Sequence, residues 1–261
     1  MQSTHHTGAG REVAAVIMAA GKGTRMKDPT RAKVMYEIDG KPMIHSVVDL
    51  AYALEAKRVI VVVGHQAEVV ELYLRESHSD IECVLQAQQL GTGHAVLQAR
   101  ESLDGFNGSV IVLSGDVPLL RRSTMESLLH HHEETRATAT ILTAALADPS
   151  GYGRIIRNSH SSVEKIIEHR DANDQERAIN EINSGIYVFD NARLFDALTH
   201  INAHNAQNEY YLTDVFEYFW KNHWKVSALI AKDPLEIRGV NTPDQLEEAR
   251  TVARASQRAA S

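Results

Sequence analysis

The sequence predicts an α/β protein built on a mostly parallel sheet. Short apolar runs rich in β-branched residues recur along the first half of the chain, at residues 13–19, 59–63, 81–85 and 110–113. Segments with helical spacing of apolar residues lie between these runs. Strands that alternate with helices are typical of a parallel sheet whose strands are joined by crossover helices.

The helices of the first half have recognisable starts. A helix is predicted to begin after Gly40-Lys41-Pro42, with Pro42 suited to a first turn and one apolar face formed by Ile44, Val47, Val48, Ala51 and Leu54. Another is predicted at Ser123, because Ser123 and Glu126 have the spacing of a capping pair.

The pattern changes after Thr138. Strand-like pieces at 138–144, 154–156, 163–168 and 182–189 alternate there with clusters of Asp, Asn and Gly, which predicts a mixed sheet with a small β lobe on the substrate side. A helix at 208–220, a strand at 225–230 and a last helix follow. Thr242 is expected to cap the last helix, with Pro243 in its first position and Gln245 reaching back.

Length and charge narrow the class of protein. A chain of 261 residues buries a sizeable core, and we expect one domain at 12–257 with disordered tails at 1–11 and 258–261. The net charge of −7 argues against nucleic acid or anionic membranes as partners, since both favour basic surfaces. Cys83 is the single cysteine, and we expect a buried, reduced thiol in a cytoplasmic protein. The oligomeric state stays open.

A glycine-rich loop follows the first apolar run, with the sequence MAAGKGTRM at residues 18–26. Glycine amides face an anion at close range, and Lys22 and Arg25 add positive charge, so the loop predicts phosphate binding. The dinucleotide-binding fingerprint needs a third glycine where Met26 stands, and the P-loop needs Gly-Lys-Ser/Thr at its end. Neither motif is present. An ordinary strand-to-helix turn remains the alternative for the loop taken alone.

Other predicted strands are also followed by polar or glycine-rich segments, and ligands of parallel sheets bind beside the carboxyl ends of the strands. Gln86 and residues 90–94 follow the third run, and residues 114–118 follow the fourth. Asp116 is the best candidate for a Mg²⁺ ligand, because Mg²⁺ prefers a few protein oxygens together with phosphate and water; Asn241 offers a second oxygen. Taken alone, each is more often a turn or pre-cap residue.

The chain resembles the N-acetylglucosamine-1-phosphate uridylyltransferases over residues 13–246. The resemblance rests on segments that occur in the family's order: MAAGKGTRM, Lys33-Val34, LQAQQLGTGHA (85–95), SGDVPLL (114–120), GYGRIIR (151–157), IEHRDA (167–172), EINSGIYVF (181–189), NAQNEYYLTD (205–214) and GVN (239–241). It implies a Rossmann-like mixed sheet of the nucleotide-diphospho-sugar transferase type. The implied reaction is Mg²⁺-dependent transfer of UMP from UTP to N-acetylglucosamine 1-phosphate, giving UDP-N-acetylglucosamine, a cell-envelope precursor, and pyrophosphate.

The resemblance also assigns roles to the residues that match the family's motifs. Asp116 and Asn241 would bind Mg²⁺, and Arg25 and Lys33 would be the catalytic cations at the phosphates. The uracil and ribose side would be held by Met18, Ala19, Ala20, Gly21, Gln86, Gly91 and Thr92, next to Ser114 and Gly115. The sugar would be held by Gly153, Glu168 and Asn183, in a pocket shaped by Glu209, Tyr210 and Tyr211.

No nucleophilic side chain or general base is implied, because a phosphate monoester with a second pKa of about 6 is already largely ionised at neutral pH. We therefore predict direct in-line transfer without a covalent enzyme intermediate. The chain departs from the family at Ala32, where a proline usually precedes the lysine, and the loop 27–32 is one residue longer. Lys33 is then expected to be less preorganised, with Arg31 as an alternative cation.

Other functions stay open from the sequence alone. The chain could use another nucleoside triphosphate or sugar phosphate, or be a catalytically silent nucleotide-sugar binding module. Many relatives continue into a hexapeptide-repeat β-helix with acetyltransferase activity, and this chain is compatible with either a natural single-function enzyme or a shortened one. The run His130-His131-His132 is not expected to bind a metal, because consecutive helical residues point in different directions.

Overall fold

The computed structural model describes residues 11–260, with side chains as far as residue 255. Its strands are β1 (Val13–Ala19), β2 (Glu37–Ile38), β3 (Lys41–Pro42), β4 (Arg58–Val63), β5 (Glu82–Leu85), β6 (Ser109–Ser114), β7 (Ala139–Ala145), β8 (Arg154–Arg157), β9 (Val163–Ile167), β10 (Glu181–Asp190) and β11 (Val226–Ile230). Its helices are α1 (Met43–Ala53), α2 (Ala67–Ser77), α3 (Thr92–Leu97), α4 (Arg122–Thr135), α5 (Asp174–Arg177), α6 (Asn191–Leu198), α7 (Asp214–Lys221) and α8 (Pro243–Ala260). Single 3-10 turns lie at Thr24–Met26, Lys33–Met35 and Glu101–Leu103.

The central sheet is mixed. Its order is β11-β7-β10-β6-β1-β4-β5, with β8 and β9 attached beside β10, while β2 and β3 form a separate hairpin. β6, β1, β4 and β5 are parallel, whereas β10 runs antiparallel to β6 and β7. The predicted α/β fold with a mostly parallel mixed sheet is confirmed.

The strand order reverses between β1 and β6. The chain leaves β1 towards β4 and β5 on one side of it and returns to β6 on its other side. Open α/β sheets bind ligands at such a reversal, outside the carboxyl ends of the strands. The glycine-rich loop follows β1 and Asp116 follows β6, so the topology alone brings these two predicted site segments together.

Apolar side chains cover both faces of the sheet. Successive residues of β1 alternate between them, with Ala15 and Ile17 in the core under α1, α2 and α4, and Ala14 and Val16 in the core under α3, α6 and α7. The predicted apolar face of α1 is buried in the first of these cores. β1 is thus enclosed on both faces, which fixes the strand that carries the glycine-rich loop.

A smaller apolar cluster fixes the far end of that loop. Met26 is 4% exposed and packs with Met43 at the start of α1 and with Leu246 and Ala249 of α8. Met26, which takes the place of the third glycine of a dinucleotide fingerprint, is therefore a hydrophobic anchor for the loop.

The predicted cap of α4 is wrong. The helix begins at Arg122, and Ser123 lies inside its first turn, with no side-chain cap on Arg121. A distant carboxylate takes the place of the local cap: Thr124 Oγ1 donates to Glu236 Oε2 at 2.6 Å, and the Arg121 N–H donates to the same oxygen at 3.3 Å. A buried acid near a helix N-terminus stabilises the helix through its dipole.

Two other predicted helix starts agree with the structure to different degrees. α1 begins at Met43, directly after Gly40-Lys41-Pro42 as predicted, although Pro42 ends β3 and is not in the first turn. α7 begins at Asp214 rather than at residue 208. The backbone before α7 is used elsewhere, because the Tyr210 N–H donates to Leu90 O and the Gly93 N–H donates to Tyr210 O, both at 2.8 Å.

The predicted start of α8 is confirmed. Thr242 Oγ1 accepts the N–H of Gln245 at 3.3 Å, and the Gln245 side chain accepts the N–H of Asn241 at 2.8 Å. The helix continues to Ala260, so residues 258–260, expected to lie in a tail, are helical. The predicted N-terminal tail, apart from Arg11, lies outside the described residues, as does Ser261.

The histidines of α4 have separate partners. His130 pairs with Glu134, His131 is hydrogen bonded to Ser227, and His132 is buried against Thr140. The three rings point in different directions, as predicted.

Cys83 is half-buried in β5, and burial raises the pKa of its thiol to about 11. Within residues 11–260, the helices are too short or too polar to cross a bilayer. The cytoplasmic location stays a prediction.

Candidate functional site

The glycine-rich loop lies close to the segment that contains Lys33. Gly23 has a φ of +60°, and a Cβ atom built on it would stand 2.6 Å from Lys33 Cβ. A side chain at residue 23 would therefore meet both backbone strain and a steric clash. The absence of a Cβ lets the loop pack against Lys33 and holds the 3-10 turn that contains Arg25 beside it.

Four polar side chains from distant parts of the chain meet at this place, and we call Arg25, Lys33, Asp116 and Asn241 the polar junction. Lys33 Nζ forms an ion pair with Asp116 and donates to Asn241 Oδ1 at 3.0 Å. Arg25 Nη2 donates to the same Asn241 oxygen at 2.8 Å. The side chains of Lys33 and Asp116 are only 16% and 10% exposed, so their charges are weakly screened.

Backbone contacts hold the junction together. The Val240 N–H donates to Asp116 O at 2.8 Å, which ties the segment before α8 to the end of β6. A Cβ atom on Gly239 would lie 3.3 Å from Asp116 Oδ2 and from Asn241 Nδ2. The glycine thus leaves room for the two oxygen-bearing side chains to approach each other.

A cavity of about 430 Å³ opens on one side of the junction, and we call it the loop cavity. The predicted residues that line it are Met18, Ala19, Ala20, Gly21, Lys33, Gln86, Gly91, Thr92, Ser114, Asp116 and Glu209. Gln86 is 3% exposed, and its Nε2 donates to Gly91 O at 3.0 Å. Gly91 has a φ of +114°, and a Cβ there would lie 2.5 Å from Tyr210 O, so only glycine fits.

A second cavity of about 310 Å³, the lobe cavity, opens on the other side. Its predicted residues are Met18, Arg25, Thr92, Ser114, Asp116, Gly153, Glu168, Asn183 and Asn241. Met18, Thr92, Ser114 and Asp116 line both cavities. Two adjoining cavities therefore meet at the polar junction.

The lobe cavity has hydrogen-bonding groups with fixed directions. Asn183 Nδ2 donates to the Tyr187 hydroxyl at 2.7 Å, and Asn183 Oδ1 accepts the N–H of Gly185 at 3.2 Å. The strand register shifts between Asn183 and Tyr187, which indicates a bulge that re-aims these side chains. Glu168 accepts a hydrogen bond from Thr213 Oγ1 at 3.1 Å, and burial raises the pKa of the Glu168 carboxyl.

A sequence model of the nucleotidyl transferase family matches residues 14–235, which is well over half of the chain. This chain belongs to the nucleotidyl transferase family. The region that carries the uridylyltransferase resemblance largely coincides with the matched residues, so the predicted family membership is confirmed.

Curated nucleotidyl transferase relatives are similar over nearly the whole chain. The bifunctional protein GlmU of Geobacillus sp. (strain WCH70) is 50% identical over 240 residues, which make up 92% of this chain and 51% of the relative. GlmU of Streptococcus mutans serotype c (strain ATCC 700610 / UA159) is 47% identical over 240 residues, with the same two coverages. The chain spans about half the length of these relatives.

Solved structures confirm the predicted fold of this nucleotidyl transferase. A UDP-glucose pyrophosphorylase complexed with UDP-glucose superposes with a TM-score of 0.75 at 19% identity and covers 94% of this chain and 99% of its own. An apo structure of a UDP-glucose pyrophosphorylase gives a TM-score of 0.76 at 19% identity, with equal coverage. At this identity the similarity concerns the fold.

Three predicted residues, Gly115, Tyr210 and Tyr211, line neither the loop cavity nor the lobe cavity. Gly115 donates its N–H to Met18 O at 2.9 Å and packs closely against Val34, so it joins β6 to β1. Tyr210 is 38% exposed, and its backbone pairs with Leu90 and Gly93.

The expectation that residues 209–211 shape one pocket is also changed. Glu209 lines the loop cavity, whereas Tyr211 lines a separate cavity behind Glu168. The three consecutive side chains reach different places because the backbone at Tyr210 pairs with the segment 90–93.

Several residues that line the cavities were not singled out in the sequence. Gln89 lines the loop cavity, and Thr213, Tyr187 and Gln245 line the lobe cavity. Gln245 was expected only as a cap residue. Tyr187 lies four residues after Asn183 in β10. Because side chains alternate between the two faces of a strand, the sequence could have predicted that Tyr187 shares a face with Asn183.

Hydrogen bonds of Ala32 and Arg31 hold the loop before Lys33 in place. Ala32 is buried, and its N–H donates to Gln66 Oε1 at 2.8 Å, a bond that a proline could not make. Arg31 donates to Met35 O at 2.6 Å and to Glu37 Oε1 at 3.0 Å. Its guanidinium thus binds its own loop, and Lys33 is the cation at the junction.

Proposed function

We propose that this nucleotidyl transferase transfers UMP from UTP to N-acetylglucosamine 1-phosphate, giving UDP-N-acetylglucosamine and pyrophosphate. The observation that carries the proposal is the meeting of two cavities at a junction with two cations, Arg25 and Lys33. A two-substrate phosphoryl transfer needs two pockets whose reacting phosphates meet at positive charge. The similarity to the GlmU proteins supports the choice of substrates.

The loop cavity suits the nucleotide. Backbone of the glycine-rich loop lines it together with Lys22, and this combination favours a polyphosphate. Gln86 and Gln89 line the same cavity, and amide side chains can both donate to and accept from a nucleobase. We assign the uracil to the Gln86 side and the phosphates to the junction.

The lobe cavity suits the sugar phosphate. Glu168, Asn183, Tyr187 and Thr213 line it and offer acceptors and donors for hydroxyl and acetamido groups. The Asn183 and Tyr187 side chains are fixed by their mutual hydrogen bond. A preorganised polar pocket discriminates strongly between sugars, because a sugar lacking the matching group leaves a buried polar atom unpaired.

The junction residues act on charge. The sugar phosphate is ionised at neutral pH and attacks the α-phosphate of UTP directly, with pyrophosphate leaving on the opposite side. The Lys33 ammonium and the Arg25 guanidinium reduce the repulsion between the two anions and stabilise charge on the transferred group. No covalent enzyme intermediate forms, because the attacking oxygen belongs to the substrate.

Asp116 and Asn241 fit a Mg²⁺ ion. The ammonium of Lys33 contacts oxygens of both side chains at once, so these oxygens already converge on one cation. Carboxylate and amide oxygens are suitable ligands for Mg²⁺, which keeps its other positions for phosphate and water. When bound, the ion supplies neutralisation of the phosphate charges; Lys33 is then free to contact phosphate.

A pyrophosphate-release assay tests the proposal. UTP, dTTP, GTP and CTP are each combined with several sugar 1-phosphates, with and without Mg²⁺. We expect release with UTP and N-acetylglucosamine 1-phosphate in Mg²⁺. Release with a different pair would move the substrate assignment, and binding of the nucleotide sugar without release from any pair would identify a silent binding module.

A further inference from the structure

A polar cluster lies apart from the residues that line the two cavities, and it joins the first two helices. His45 and Asp49 stand one turn apart on α1, and His78 directly follows the last residue of α2. One ligand atom from each of the three side chains can be chosen such that all lie within 4.8 Å of one another. We propose that His45, Asp49 and His78 form a binding site for a divalent metal ion of the zinc type.

Both histidine rings are held in the orientation that a metal site requires. Nδ1 of His45 is hydrogen bonded to the Tyr73 hydroxyl at 3.0 Å, and Nδ1 of His78 to Ser77 Oγ at 2.9 Å. The Nε2 atoms therefore face Asp49. His45 Nε2 lies 3.2 Å from Asp49 Oδ2, and His78 Nε2 lies 3.0 Å from Asp49 Oδ1. Metal-binding histidines characteristically use the second ring nitrogen for such an orienting hydrogen bond.

Lys41 indicates that the cluster attracts a cation. Its Nζ lies 2.8 Å from His45 Nε2 and 4.0 Å from Asp49 Oδ2. An ammonium group can only donate, so His45 Nε2 is unprotonated in this contact and presents its lone pair to Lys41, while Asp49 Oδ2 lies 3.2 Å away. A lone pair and a carboxylate oxygen this close repel each other unless positive charge lies beside them. The Lys41 side chain is 60% exposed and can move away when a metal ion takes that place.

The donor atoms select the kind of metal. Two imidazole nitrogens and one carboxylate suit Zn²⁺, which commonly takes three protein ligands and leaves a fourth position for water, whereas Mg²⁺ prefers oxygen. The His45 and His78 side chains are 13% and 11% exposed, and Asp49 is 52% exposed, so the site opens to solvent on the carboxylate side.

A bound ion would link α1 to the end of α2. His78 is fixed there, because its N–H donates to Leu74 O at 2.8 Å and its ring stacks on Tyr52 at 5.5 Å between centroids. An ion that binds the folded state and not the unfolded chain raises the melting temperature. The expected role is therefore structural and independent of the reaction proposed above.

Calorimetric titration of the whole chain with Zn²⁺, in excess Mg²⁺, tests the site. His5 and His6 are adjacent in the sequence and would add a weak competing site, so every protein carries His5→Ala and His6→Ala. We expect one Zn²⁺ per chain and a higher melting temperature in Zn²⁺. Asp49→Ala should lower the affinity at least about tenfold, and Tyr73→Phe, which removes only the orienting hydroxyl, by about 10- to 100-fold. Lys41→Met should raise the affinity, since it removes a competing cation.

The chain offers a matched control in α4. His130 and Glu134 have the same spacing as His45 and Asp49 and lie 3.1 Å apart, and among the described residues no third ligand joins them. His130→Ala should leave Zn²⁺ binding unchanged. Absence of one-to-one binding, or equal affinity in the parent, Asp49→Ala and Tyr73→Phe proteins, would overturn the proposal.

Discussion

Lys33 contacts two oxygen-bearing side chains that come from opposite halves of the chain, Asp116 and Asn241. Arg31, a cation two residues before Lys33 in the sequence, instead binds the backbone of its own loop. Its guanidinium also lies over the Tyr36 ring, 4.9 Å from the centroid. Arg31 and Lys33 thus carry the same charge, but only Lys33 contacts the polar junction. Replacing each in turn therefore distinguishes a direct effect at the junction from an effect of positive charge elsewhere in the loop.

Replacing Lys33 by alanine should lower kcat/KM for UMP transfer at least about 100-fold, the effect typical of removing one preorganised group that stabilises transition-state charge. Arg31→Ala should lower it less than about threefold, because that side chain is half-exposed and points into its own loop. Steady-state kinetics of both variants, with circular dichroism to verify folding, provides the measurement. Equal losses of kcat/KM in both variants would show that Lys33 acts through the total positive charge of the loop and not through its contacts at the junction.

Gly23 provides a second test at the scale of one residue. Gly23 and Gly40 both have positive φ values, +60° and +77°, but a Cβ on Gly40 would meet no atom within 4 Å. Gly23→Ala and Gly40→Ala should each lose about 1 kcal/mol of unfolding free energy from backbone strain. Only Gly23→Ala should also lower kcat, by about 100-fold, since it displaces Lys33. Urea denaturation and kinetics on the two variants separate strain from displacement.

Helix starts mark the limit of what local sequence determines. Thr242, Pro243 and Gln245 predict the start of α8 because all the capping partners are neighbours in the chain. α4 begins differently from its prediction because Glu236, more than a hundred residues away, occupies its N-terminus. Local patterns identify elements whose partners are local. They do not identify elements whose partners are distant in the sequence and come into contact only in the folded chain.

The same distinction applies to the site. The family resemblance named most of the residues that line the loop cavity, but fewer than half of those that line the lobe cavity, where it missed Tyr187 and Thr213. It did not separate Glu209 from Tyr211, because their different directions depend on the backbone pairing of Tyr210 with Leu90 and Gly93. It also gave no indication of the bond from the Ala32 N–H to Gln66, which the proline usual at this position could not donate.

Asp214 of α7 is placed where burial disfavours its ionised form. Asp214 stands in the first turn of the helix, and burial, with a smaller contribution from Glu168, raises the Asp214 pKa from 3.8 to about 6. The folded state then holds a proton more tightly than the unfolded state. Stability is therefore lost as the pH rises from about 4 to 6, and the loss is constant at higher pH.

Asp214→Asn removes this pH-dependent loss. The variant should gain more unfolding free energy over the parent at pH 7.5 than at pH 4.5, by about 1–2 kcal/mol, an amount reduced from the full pKa shift because the carboxyl is partly exposed. Urea denaturation at the two pH values measures it. Glu217→Gln on the same helix, whose carboxyl is half-exposed and pairs with Lys221 at 2.8 Å, removes only a minor cause of the raised Asp214 pKa and should show a much smaller gain at pH 7.5.

At the scale of the whole molecule, the two cavities lie where the strand order reverses, and different parts of the sheet line each of them. The end of β1 and the segments that follow β1 and β5 line the loop cavity, while β10 and the residues that flank the β8–β9 hairpin line the lobe cavity. Both cavities reach the junction at Asp116. If each cavity holds one substrate, a change within one should alter the KM of that substrate alone.

Asn183→Ala and Gln86→Ala test this division as a pair. Each removes one buried amide, and Asn183 and Gln86 are 9% and 3% exposed, so the two variants have comparable structural costs. Asn183→Ala should raise the KM for N-acetylglucosamine 1-phosphate about tenfold, the equivalent of one lost hydrogen bond, and change the KM for UTP less than about twofold. Gln86→Ala should do the reverse. Because both variants lose hydrogen bonds within the protein, melting temperatures control for general damage. A shift of both KM values in both variants would mean that the two cavities form one continuous site, in which case the substrates share their contacts at the sheet edge.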